Sequence, residues 1–161
     1  MTDITQKPKE QADAVKEQSL YETDFYLWSL KTAELLRQGK FDEIDIENTA
    51  EEIESLGKRD KREVLSRLSV LIAYLLKWQY EPQKRYRSRR GEIFTERFNI
   101  ELVIDDSPSL KQMTETLIKE AFNEAVIQFE IETGLNKNTL FPEKTCPYTF
   151  EQLSDYDFLP E

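Results

Sequence analysis

Ile46, Ala50, Ile53, Gly57, Val64, Leu68, Leu71, Leu75 and Trp78 keep one helical phase for more than thirty residues. A strand shows an alternating pattern and runs only a few residues, so this stripe commits the middle of the chain to helix. Asp45 stands where its carboxylate can cap the first free amides. Gly57 could end one helix, with Asp60 and Glu63 capping the next, yet the unbroken phase favours one long or kinked helix. Glu54 with Lys58, and Glu63 with Arg67, lie one turn apart in the favourable order and support the solvated side.

The flanking sequence reads the same way. Thr23 is placed to cap a helix with Phe25, Trp28, Leu35 and Leu36 on its apolar side, and Gly39 supplies a left-handed stop. After Pro82 and a basic stretch, Ile93, Phe94, Phe98, Leu102 and Val103 predict a helix from near Ser88 to Ile104. Ser107 and Pro108 suit a cap and first helical position for Leu110, Met113, Leu117, Ala121, Phe122, Ala125 and Phe129, with a possible break near Asn123 and a stop at Gly134. From Leu135 three prolines make a loop-rich tail, in which Thr149 and Gln152 match a capping box. Its apolar residues Tyr148, Phe150, Leu153, Tyr156, Phe158 and Leu159 require docking. The expected fold is therefore all-α: a compact helical bundle with about four main helices and a docked C-terminal tail. A flexible polar leader is expected over residues 1–20 and a single helical domain over 21–161.

Composition narrows function more than it defines it. With no histidine among 161 residues, serine–histidine and cysteine–histidine catalysis and histidine-based metal sites are excluded. The single cysteine, Cys146, cannot form an internal disulfide, which fits a reducing cytoplasm. Lacking a nearby base in the sequence, it reads as a small packing residue. No apolar run approaches the roughly 18 residues of a membrane span, and no membrane association is expected. The net charge of −10 opposes a broad nucleic-acid surface.

Several segments in fixed order carry a resemblance. They are Tyr21 to Trp28 (YETDFYLW), Ala50 to Gly57 (AEEIESLG), Leu75 to Pro82 (LLKWQYEP), Asp106 to Leu110 (DSPSL), Cys146 to Thr149 (CPYT) and Phe158 to Pro160 (FLP). Together they make the chain similar to the bacterial family termed domain of unknown function 29, from about Tyr21 to the C-terminus. The resemblance implies an all-helical fold and brings no activity, cofactor or catalytic residue.

Two charged constellations stand out. Glu47, Glu51 and Glu54 share a helical face, and with Glu101 and Asp105 they could hold Mg²⁺ or Mn²⁺ through oxygen ligands. All-helical nucleotide pyrophosphohydrolases use such carboxylates. Here, however, Ser55 stands where their third glutamate would be, and Glu101 and Asp105 are four residues apart instead of three. The ordinary reading is a solvated acidic face. The second constellation is basic: Lys84, Arg85, Arg87, Arg89 and Arg90, interleaved with Trp78, Tyr80 and Tyr86. It could contact an anion, RNA or an acidic partner, or serve internally as a connector held by ion pairs. With no glycine-rich phosphate loop and no nucleophile motif, the expectation is a non-enzymatic protein-interaction module without a cofactor, recognising another protein or itself. A divalent-metal phosphohydrolase and an RNA-binding protein are the alternatives.

Overall fold

The computed structural model describes residues 19–161. The polar leader expected over residues 1–20 thus lies, apart from its last two residues, outside the described residues. The chain divides into two compact units, Met1–Ile53 and Glu54–Glu161. Among the described residues there are seven α-helices and no strand, in agreement with the all-α expectation.

The first unit contains a single-turn helix α1 (Leu20–Thr23), helix α2 (Phe25–Gln38) and the start of α3 (Ile46–Tyr80). The cap of α2 is Asp24, not Thr23: the Asp24 carboxylate accepts from the Leu27 amide at 2.9 Å, while the Thr23 hydroxyl donates to the Ser19 carbonyl within α1. One additional helical turn has displaced the boundary by a residue. Gly39 ends α2 at φ 69°, the left-handed stop expected there. Asp45 caps α3 through the Asn48 amide at 3.1 Å. Of the stripe expected on α2, Trp28 is buried and Leu35 half-buried, whereas Phe25 and Leu36 are exposed. The covered face is centred on Trp28 and Thr32, one turn apart. Tyr21 meets the Trp28 ring edge-on at 4.8 Å, and its hydroxyl donates to Glu52 at 2.7 Å, fastening α1 to α3.

The rest of the long stripe belongs to the second unit. Helix α3 is continuous over 35 residues and passes through Gly57 without a break. One interior glycine costs only about 1 kcal/mol relative to alanine, too little to interrupt a helix with Val64, Leu68, Leu71, Ile72, Leu75 and Leu76 fully buried. Pro82 ends it, and a 3₁₀ turn at Pro82–Lys84 leads to α4 (Arg87–Asp106).

On α4 the buried positions are Ile93, Arg97, Ile100 and Ile104, at spacings of four, three and four. That register turns Phe94, Phe98 and Leu102, expected inside, toward solvent. A second correction concerns Ser107. Its side chain makes no capping bond and instead donates to the Asp60 carboxylate on α3 at 2.7 Å, and the segment that follows, Pro108–Met113, is a 3₁₀ helix. Helix α5 (Thr114–Thr133) follows, runs unbroken past Asn123 and stops at Gly134, φ 73°.

The tail is docked. Short helix α6 (Lys137–Leu140) is capped by Asn136, and α7 (Phe150–Ser154) carries the full Thr149–Gln152 capping box and packs on α4 and α5. Phe141 enters the core edge-on to Phe122 and Tyr80 at 5.5 and 5.7 Å. The Tyr148 hydroxyl donates to Gln79 at 2.9 Å.

Candidate functional site

The basic connector is fastened to the end of α3. Lys84 Nζ pairs with one oxygen of Glu81 and Arg89 Nη1 with the other, at 3.4 Å, while Arg85 Nε donates to the Trp78 carbonyl at 2.8 Å. Arg85 also stands 5.6 Å from the centre of the Trp78 ring. Glu81 is buried, which by itself would raise its carboxyl, but the hydrogen bonds and charges of Lys84 and Arg89 outweigh burial and hold it below the ordinary value of 4.5. Three of the five cations are thus engaged locally. Arg87 and Arg90 are exposed and make no ion pair among the described residues.

The acidic candidates occupy different settings. Glu47 and Glu51 are exposed in the first unit. In the second, Glu54 pairs with Lys58 at 3.3 Å, both well exposed, while Glu101 and Asp105 lie one turn apart on α4. Glu101 accepts a hydrogen bond from Tyr156, which together with burial pushes that phenol up to about 12. Among the described residues no group of three or more acidic or cysteine side chains is arranged to hold a metal ion. Cys146 packs against the core, and burial raises its thiol to about 11, so it is protonated at neutral pH.

Two cations, Lys77 and Arg97, are buried, which the sequence reading did not foresee. Lys77 lies within the core-facing part of α3, pairs with Glu132 of α5 and stands 4.6 Å from the Tyr74 ring centre. Burial favours the neutral form of Glu132, yet the hydrogen bonds from Lys77 and Gln128 bring its carboxyl below the ordinary value.

Arg97, only 3% exposed, donates from Nε to the Leu153 carbonyl at 2.9 Å and from Nη2 to the Gln152 and Phe158 carbonyls at 3.2 and 2.8 Å. Burial lowers its guanidinium from the ordinary arginine value, opposed by the charge of Asp155, and it stays protonated at neutral pH. The signal was present in the sequence: Arg97 falls in the same register as Ile93, Ile100 and Ile104.

The first unit displays its apolar side chains. Tyr26, Leu27 and Leu30 occupy the side of α2 opposite Trp28 and Thr32, and Phe41, Ile46 and Ile53 are each more than 60% exposed. Trp28 is the one large apolar residue buried among its described residues. No helix of the described residues is long and apolar enough to cross a membrane.

The described residues thus form an all-helical fold with a docked C-terminal tail. The chain belongs to the family described as Domain of unknown function DUF29, matched over residues 20–159. No curated protein and no solved structure matches it.

Proposed function

We propose that the chain is a non-enzymatic protein-interaction module whose first unit docks a basic, amphipathic helix of a partner. The observation that carries this reading is the apolar face of α2 formed by Tyr26, Leu27 and Leu30, on the side opposite its packed one. Side chains left in water in this number characterise interaction sites more than monomer surfaces. Their spacing of three and four residues suits a helix laid alongside. Charge selects the partner: between Leu20 and Ile53 nine acidic residues stand against three basic ones. A second copy would bring like charges together, whereas a lysine-rich amphipathic helix would satisfy both the apolar face and the carboxylates.

A labelled leucine–lysine amphipathic peptide, titrated into the full chain and followed by fluorescence anisotropy, tests the reading. Saturable binding is expected, weakened by salt and by Leu30→Glu. Equal binding of a scrambled peptide with the same charge would overturn it, as would a concentration-dependent dimer in sedimentation that Leu30→Glu disrupts. The phosphohydrolase alternative has less to rest on, because Tyr156 engages Glu101 and no acidic cluster is arranged for a metal among the described residues. RNA binding has less as well, since Glu81 and the Trp78 carbonyl hold Lys84, Arg85 and Arg89.

A further inference from the structure

A cavity of about 210 Å³ opens inside the second unit, bordered by α3, α4, the segment before α5 and α7. One wall is a single face of α4 carrying Arg97, Glu101 and Asp105 at successive turns, roughly 6 Å apart along the helix. The remaining surface is largely apolar, with Leu68, Ile104, Phe150 and Leu153 among its lining.

Arg97 and Glu101 are opposite charges one turn apart, the spacing at which helical side chains normally pair. They form no ion pair among the described residues, and each is hydrogen-bonded to the tail instead. Three tail carbonyls take Arg97 Nε and Nη2, and the Tyr156 hydroxyl takes Glu101. Nη1 has no acceptor among the described residues, and no buried side-chain nitrogen there lacks a partner. Nη1 is therefore not fully enclosed, and Arg97 is one of the residues that line the cavity. A buried guanidinium hydrogen-bonded to neutral carbonyls keeps its positive charge, offset in part here by nearby Asp155, and can still attract an anion.

We propose that this cavity binds a free apolar α-amino acid. Its carboxylate would meet Arg97 Nη1, with Lys111 of the lining adding positive charge. Its ammonium group would meet Glu101 and Asp105, and its side chain would lie against the apolar wall. The two cations and two carboxylates of the lining balance, which suits a zwitterion and disfavours a phosphate or other polyanion. The volume suits a ligand of roughly ten heavy atoms, given that an apolar cavity of about 150 Å³ accommodates benzene.

Calorimetric titration of the full chain with leucine, 4-methylpentanoate and 3-methylbutylamine tests the assignment, since each analogue keeps the apolar body and one charge. Leucine is expected to bind saturably, with each analogue at least about tenfold weaker. Glu101→Gln combined with Asp105→Asn should weaken leucine by about tenfold and leave 4-methylpentanoate bound at least as tightly as before, since two like charges are removed. Both positions are exposed, so the test does not depend on altering the buried Arg97. Absence of leucine binding would overturn the proposal. Equal binding of leucine and 4-methylpentanoate, indifferent to the double substitution, would make the cavity a simple anion site and overturn it too. Equal binding of 3-methylbutylamine would overturn it in the opposite sense.

Discussion

Arg97 on α4 donates to the carbonyl of Phe158, 61 residues later in the chain, at 2.8 Å. The same guanidinium reaches the Gln152 and Leu153 carbonyls in the last turn of α7, where carbonyls have no donor from the helix itself. One buried cation thus caps a five-residue helix that could not stand alone and anchors the chain beyond it. Tyr148, edge-on to Phe158 at 6.0 Å, and buried Leu153 complete the attachment.

Arg97→Ala should consequently loosen the tail more than its single position suggests. Three carbonyls lose a charged donor in a buried setting, which costs about 2–4 kcal/mol. Urea denaturation would give the loss, and limited proteolysis should show new cleavage after residue 140. Arg97→Lys should recover little, because one ammonium cannot reproduce the planar fork that spans carbonyls at both ends of the turn. Full rescue by lysine would mean that charge alone matters at this position.

Glu81 gives the second unit an acid-sensitive joint. Its folded-state carboxyl lies below the ordinary 4.5 because Lys84 and Arg89 outweigh burial. A carboxyl depressed on folding contributes stability above its unfolded value and loses it as pH falls through the folded one. Glu81→Gln should therefore cost about 1–2 kcal/mol at pH 7, a figure kept small because Lys84 is partly exposed. The gap to the wild type should close below about pH 4.5. Denaturation curves between pH 7 and 3 check this, and a gap that widens on acidification would contradict the ion-pair account.

Helix punctuation was legible in the sequence at several ends, though Asp24 caps α2 in place of Thr23 and Ser107 makes no cap. Gly39 and Gly134 stop helices with positive φ, Asp45 caps α3, and Thr149 with Gln152 forms the capping box. The rotation of each helix about its axis was less legible, because several apolar residues permit more than one buried face. Phe94, Phe98 and Leu102 compete with Ile93, Ile100 and Ile104 on α4, and the inclusion of Arg97 in the buried face follows from tail carbonyls more than fifty residues away. Ser107 misled for a similar reason: its hydroxyl has a cap available locally but is taken by Asp60, 47 residues earlier. The hydrogen bonding of Arg97 and Glu101 to the tail likewise depends on long-range contacts that spacing along α4 does not reveal.

Gly57 is the point at which the local and long-range arguments can be separated. It lies inside α3, and a Cβ built there meets nothing within 4 Å. Among the described residues neither a turn nor a close neighbour requires glycine there. Gly57→Ala should then stabilise the protein by about 0.5–1 kcal/mol, because alanine restricts the unfolded chain and suits the helix better. For a chain of this size that is a rise of roughly 1–4 °C in melting temperature, readable by circular dichroism. If alanine instead lowers the melting temperature, α3 must bend at Gly57 in solution, and the stripe from Ile46 to Trp78 would be two helices in dynamic register.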